Sequence, residues 1–300
     1  RSGVRMPIEL GGKPIVITGA SSGIGAATAI ACAAAGMPVA LGARRQDRLN
    51  EVVEVIRKRG GRAIAVETDV TSPESCAALV DRAVREFGSL YAVYANAGYG
   101  DEVAVDSMSD ERIRAIFETN FFGTLNIIRP ALPHLRRNAG PHRGHILICS
   151  SCLARMAIPY YGAYSATKSA QAHIGRAMMF ELEPEGIHVS TIHPIGTKTE
   201  LFDLIAVRSA QNGGAAQLIS HTPDRLMQTP EYVAKKTLAC LRRPRAEVWT
   251  GFRGGFVRFG MAVCTFAPWT GDRVLRGMVK RRLAEARKAA EQRPTPATNG

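Results

Sequence analysis

The chain reads as an α/β protein, a single domain built on one doubly wound parallel sheet with a C-terminal helical extension. Three observations predict this. Short apolar runs alternate with longer segments of helical period from residue 14 to about residue 251, the order produced by successive βαβ units. The short runs are apolar almost throughout rather than at every second position, as in strands covered by helices on both faces. A glycine-rich turn, Gly19-Ala-Ser-Ser-Gly23-Ile-Gly25, joins the first run directly to an alanine-rich helical segment.

Taken in order, the strands fall at 15–18, 39–43, 63–68, 90–95, 145–150, 188–193 and 247–251, and the helices at 23–35, 48–59, 73–87, 110–137, 162–183 and 230–242. Ser72-Pro73 and Thr229-Pro230 each set a capping residue before a proline at the first helical position, where the missing N–H costs nothing. The body spans 13–253 after an N-terminal segment, 1–12. Residues 200–228, polar and containing Gly213 and Gly214, are expected to cover a substrate. Residues 254–293 form two basic amphipathic helices broken near Pro268, and 294–300 have the composition of a disordered tail.

A hydrophobic fraction of 46% and a charged fraction of 22% exclude disordered and fibrous classes. The net charge of +13 would suit nucleic acid if it lay on one recognition element, but no such motif is present. Residues 1–199 carry 22 basic and 18 acidic side chains, and residues 200–300 carry 17 and 8. The excess therefore belongs to the C-terminal region, which could touch an anionic membrane or pack over the pocket or a partner subunit. Six scattered cysteines match no secreted disulfide framework, and Cys149-Ser-Ser-Cys152 lacks the second pair of a zinc site. No secretory segment or membrane span is read, so a cytoplasmic setting is expected.

Glycines in the first turn let backbone N–H groups at a helix N-terminus approach a diphosphate. Gly19, Ser21, Ser22, Gly23, Ile24 and Gly25 are the residues expected to line it. At the end of the second strand, where an acid would bind a ribose 2′-hydroxyl, the chain has Arg44-Arg45. A guanidinium pair suits a 2′-phosphate, which points to NADP(H) rather than NAD(H). Asp69, followed by Val70, either accepts from an adenine amino group or caps the turn before Pro73.

Tyr164 and Lys168 stand four residues apart, so a helix brings both to one face. The ammonium is expected to lower the phenol's pKa from about 10 toward neutrality, with help from a cofactor's charge. With the glycine turn, Asp69, Asn96-Ala97-Gly98, Asn120 and Ser151, this pair resembles the short-chain dehydrogenase/reductase family over about residues 13–200. The resemblance implies a Rossmann-like fold, a homodimer or homotetramer, and interconversion of a small-molecule carbonyl and a secondary alcohol by hydride transfer. It implies that Tyr164 is the general acid/base, that Ser151 hydrogen-bonds the substrate oxygen, and that Lys168 holds the nicotinamide ribose. Asn120 would support a water chain, and Asn96, Ala97 and Gly98 the adenosine side. Pro194, Ile195, Thr197 and Thr199 would meet the nicotinamide amide, although Ile195 occupies the slot the family gives to glycine. His193, just before them, reads as a strand-end residue. A redox sensor or scaffold that binds NADP(H) without turnover is the competing class, as is a membrane-surface reductase of lipids or steroids.

Overall fold

The computed structural model of the chain describes residues 6–198 and 227–251, together with single positions between 259 and 281. Thr199 and most of the expected covering segment lie outside the described residues, as does the tail at 294–300. Seven strands form one parallel sheet: β1 (Ile15–Thr18), β2 (Val39–Ala43), β3 (Ala63–Glu67), β4 (Ala92–Ala95), β5 (Gly144–Cys149), β6 (Ile187–His193) and β7 (Glu247–Trp249). Their spatial order is β3-β2-β1-β4-β5-β6-β7. The helices are α1 (Gly23–Ala34), α2 (Gln46–Lys58), α3 (Pro73–Phe87), α4 (Asp110–Phe117), α5 (Gly123–Arg137), α6 (Gly162–Leu182) and α7 (Pro230–Arg242).

Side-chain alternation divides the core between the two faces of the sheet. Ile15, Ile17, Val39 and Leu41 pack in one cluster with Ala29 and Cys32 of α1, Leu49 of α2 and Val233 of α7. Val16, Ala40, Val93 and Ile146 pack in the other with Leu79 of α3, Ile127 of α5 and Met178 of α6. A fully buried Ile or Leu side chain such as Ile17 or Leu41 contributes roughly 1.5–3 kcal/mol. The N-terminal segment joins this body, with Ile8 and Leu10 buried and the Ile8 amide donating to the Arg242 carbonyl at 2.8 Å.

Both sequence-read caps form. Ser72 Oγ accepts from the Ser75 amide at 3.0 Å and Thr229 Oγ1 from the Tyr232 amide at 3.3 Å. The segment at 110–137, expected as one helix, is instead divided by a π-helical turn over Glu118–Phe122. Side chains hold the widened turn open. The Asn120 carbonyl accepts from Thr124 Oγ1 at 2.8 Å and from Gln171 Nε2 at 2.7 Å.

Strand order reverses at β1, which pairs with β2 on one side and β4 on the other. The carboxyl ends of β1 and β4 therefore open a crevice, the place where sheets of this kind bind ligands.

Candidate active site

At that crevice the first turn is shaped by close backbone approach. Gly19 and Gly23 have φ of +64° and +56°, a region that favours glycine. A Cβ on Gly25 would lie 2.3 Å from the Gly19 carbonyl oxygen and 2.7 Å from Asn96 Nδ2. Asn96 fastens the turn to β4 by donating from Nδ2 to the carbonyls of Thr18 at 3.0 Å and Gly19 at 3.3 Å. Thr18 Oγ1 accepts from the amides of Asn96 and Ala97 at 3.1 and 3.2 Å. Ser22 is the N-cap residue of α1, with no side-chain bond to the helix amides.

The two arginines after β2 separate. Arg45 reaches back across the turn, donating from Nη2 to Ser22 Oγ at 2.8 Å and Ser21 Oγ at 3.2 Å. Arg44 lies toward Asp69. Asp69 Oδ1 accepts from the amide and hydroxyl of Thr71 at 2.9 and 2.8 Å, so its carboxylate caps the turn before α3. The Thr71 amide, with lesser help from Arg44, holds its pKa below the usual carboxylate range despite partial burial. The adjoining Val70 is buried, and its carbonyl accepts from Asn126 Nδ2 at 2.9 Å.

Ser151, Tyr164, Lys168 and Asn120 come together beside the ends of β4 and β5. Ser150 and Ser151 part as strand alternation requires. The Ser150 hydroxyl donates to the Lys168 carbonyl at 2.8 Å, whereas Ser151 faces Tyr164, close enough for its hydroxyl to oppose part of the effect of burial on the phenol. Lys168 is buried, its Nζ donating to the Cys149 carbonyl at 2.8 Å and standing 5.6 Å from the Tyr164 ring centroid. Asn120 Oδ1 accepts from the Tyr99 amide at 2.9 Å, and its Nδ2 donates to Thr167 Oγ1 at 3.0 Å. A Cβ on Gly98 would come within 2.9 Å of Asn120 Oδ1 and 3.4 Å of Lys168 Nζ, so only a glycine fits this wall without a shift.

Burial works against the expected acidification of Tyr164 by Lys168. Burial raises the phenol well above its ordinary range, and the Ser151 hydrogen bond only partly opposes it. Burial also pulls the Lys168 ammonium down to about 8. Desolvation outweighs pairing here because the ammonium is spent on the Cys149 carbonyl and lies over the ring face rather than at the hydroxyl. Cys149 and Cys152 are free thiols, and burial pushes Cys152 up to about 11.

After β6, the positive φ falls on Gly196 and not on Ile195. Gly196 and Lys198 pair with Gln228 through backbone bonds of 2.8 and 2.9 Å. Thr197 is buried, and its hydroxyl has no hydrogen-bond partner among the described residues. Pro194 accepts from the Cys152 amide at 3.0 Å. Two further side chains border this loop. Gln228 Oε1 accepts from Thr250 Oγ1 at 2.6 Å, and His193 Nδ1 lies 3.0 Å from the Ser151 carbonyl oxygen. Nothing in the spacing of Gln228 marks it, because its partners are distant in the chain.

Comparison with known proteins agrees with this geometry. The family model for short chain dehydrogenases matches residues 13–209. An uncharacterized oxidoreductase of Listeria innocua is 34% identical over 73% of this chain and 89% of its own. The 7alpha-hydroxysteroid dehydrogenase of Escherichia coli is 31% identical over 77% of this chain and 88% of its own. Among solved structures, an alcohol dehydrogenase of Thermococcus sibiricus complexed with 5-hydroxy-NADP superposes with a TM-score of 0.66 at 28% identity, covering 79% of this chain and 94% of its own. A short chain dehydrogenase/reductase of Burkholderia phymatum in complex with NAD does so with a TM-score of 0.74 at 25% identity, covering 86% and 96%. From fold, site and relatives alike, the chain belongs to the short-chain dehydrogenase/reductase family of oxidoreductases.

Proposed function

We propose that the protein is an NADP(H)-dependent oxidoreductase that interconverts a carbonyl and a secondary alcohol, with Tyr164 as the proton-transferring group. The observation that carries this reading is the convergence of Ser151, Tyr164 and Lys168 at the crevice where the strand order reverses.

Residues present suit a nicotinamide dinucleotide. The turn from Gly19 to Gly25 runs into the N-terminus of α1, whose free amides suit a diphosphate, and Arg45 beside Ser21 and Ser22 suits a 2′-phosphate. The orphaned hydroxyl of buried Thr197 suits a carboxamide. When bound, the nicotinamide supplies or accepts the hydride. The Ser151 hydroxyl donates to the substrate oxygen and steadies the charge that grows there. Tyr164 gives its proton to that oxygen in reduction and takes it back in oxidation. A phenol held protonated by burial is suited to the acid role in reduction. Lys168 holds positive charge next to the ring and recharges poorly above pH 8, where burial has brought its own titration.

The test uses NADPH and a panel of aldehydes, ketones, steroids and quinones. Oxidation of NADPH by the wild type and a loss of at least ~100-fold in Tyr164→Phe, with NADPH binding unchanged, are expected. Retained turnover in Tyr164→Phe would end this mechanism; bound NADPH without turnover in the wild type would favour the sensor reading.

A second reading concerns substrate delivery. Phe259, Phe266 and Trp269 are 69%, 85% and 69% exposed, and Arg273, Arg276, Lys280 and Arg281 follow them in helical positions. Leu275 and Val279 line a cleft with Pro159, just before the Tyr164 helix. This arrangement supports a C-terminal region that packs beside the pocket mouth while offering aromatic and basic side chains to an anionic membrane. Among the described residues no helix is long and apolar enough to cross one. Salt-sensitive co-sedimentation with phosphatidylserine vesicles is expected; its absence would retire the reading. Exposed Phe180 on α6 and Phe122 before α5 support association of copies through these helices.

A further inference from the structure

His193 lies at the end of β6, wholly buried, and is not among the residues assigned to the chemistry above. Its ring stacks on Trp249 of β7 with centroids 4.6 Å apart and planes 12° from parallel. Its Nδ1 is 3.0 Å from the carbonyl oxygen of Ser151. A carbonyl oxygen has no proton to give, so Nδ1 must carry the hydrogen. The bond thereby fixes the Nδ1–H tautomer of the neutral ring, and a charged ring would carry that hydrogen as well.

The same short loop is tied down at its other end. Arg155 donates to Glu247 Oε1 at 2.8 Å, and Trp249 Nε1 donates to Glu247 Oε2 at 3.3 Å. Burial would raise the Glu247 carboxyl, but these bonds and the facing His193 hold it below the usual carboxylate range. Between the two ties stand Ser151 and the 3₁₀ turn Cys152–Ala154. Within it, Ser151 Oγ accepts from the Leu153 amide at 3.1 Å, and the Ser151 carbonyl accepts a second bond, from the Ala154 amide, at 3.1 Å. Rotating the Ser151 peptide would break both carbonyl bonds and swing the hydroxyl away from Tyr164.

We propose that His193 is a positioning residue, whose Nδ1–H grips the Ser151 carbonyl and so aims the Ser151 hydroxyl at the Tyr164 oxygen. This rests on the reading of Ser151 and Tyr164 as the reacting pair. Misplacing a catalytic group by about 1 Å is enough to lose ~100-fold in rate, and besides this carbonyl grip the Ser151 side chain is held by the Leu153 amide.

Two variants separate the donor from the packing. His193→Asn puts an N–H donor where Nδ1 stands but gives up the stack on Trp249; His193→Phe keeps a stacking ring and gives up the donor. With NADPH and a carbonyl that the wild type reduces, His193→Phe is expected to lose ~10- to 100-fold in kcat. His193→Asn should stay within about fivefold, and both should bind NADPH within twofold of wild type. The reverse order, equal losses, or no loss in His193→Phe would overturn the proposal. An independent arm needs no turnover: ¹⁵N-histidine NMR of the ligand-free protein, with the signal assigned by its disappearance in His193→Asn. A protonated Nδ1 is expected, and an Nε2–H tautomer with bare Nδ1 would overturn the proposal. A wild type inert toward every carbonyl would sink the enzymatic reading instead, leaving the tautomer result to decide the bond.

Discussion

Acid should destabilise this protein through one buried histidine. His145 lies on β5 with no exposed surface, its Nε2 2.7 Å from Ser190 Oγ. Burial, and secondarily the nearby His188, lower its pKa from 6.5 to about 3. In the unfolded chain the ring takes up a proton below about pH 6.5, whereas in the folded chain it stays neutral until about pH 3. Stability is therefore unaffected above pH 6.5 and is lost as pH falls through the window from 6.5 to 3. At ~1.4 kcal/mol per unit of difference, the loss is about 2 kcal/mol at pH 5 and about 5 kcal/mol at the bottom of the window. The perturbation is His145→Gln, which keeps an amide for Ser190 and cannot titrate. Urea unfolding of both proteins at pH 7 and pH 5 gives the comparison, since carboxylate contributions are common to the two. The wild type should lose about 2 kcal/mol more than the variant between those conditions. Equal losses in the two proteins would refute the assignment of a neutral, buried His145.

Two further outcomes follow from the cofactor crevice. Arg45→Ala should weaken NADPH binding by about tenfold or more, the value of one hydrogen bond to a charged group, and leave NADH within twofold. Isothermal titration with both dinucleotides checks it, and an equal change in the two would count against a 2′-phosphate contact. Gly25→Ala drives a methyl into the Gly19 carbonyl, which should lower stability by about 1–3 kcal/mol and raise the NADPH Kd at least ~10-fold. Thermal melting with and without NADPH reports both.

The sheet was legible because parallel strands covered on both faces leave continuous apolar runs, and the caps because Ser72 and Thr229 act within three residues of themselves. Tyr164 and Lys168 were legible for a similar reason, since a helix converts a spacing of four into a shared face. Contacts made across the chain were not. Spacing suggested an ammonium acting on a phenol, yet Lys168 finds a carbonyl nineteen residues away in sequence, and burial dominates both groups. Asp69 was readable as a turn cap or an adenine contact, and its bonds to Thr71 bear out the cap. His193 is the strand end its sequence suggests, but nothing in its own segment shows that Ser151 lies beside it, 42 residues distant in sequence.

The widened turn at Glu118–Phe122 has a consequence for how the two halves of its helix are constrained. Each residue of an α-helix advances by about 100°, so one surplus residue rotates everything before it relative to everything after. The half before the bulge answers to α6, and the half after it to α3 and the strands. Deleting a single residue there would give a straighter, better-bonded rod whose leading half faced the wrong way. Asn120 sits at the pivot: its side chain bridges Tyr99 and Thr167, while its carbonyl, held by Thr124 and Gln171, marks where the two phases part.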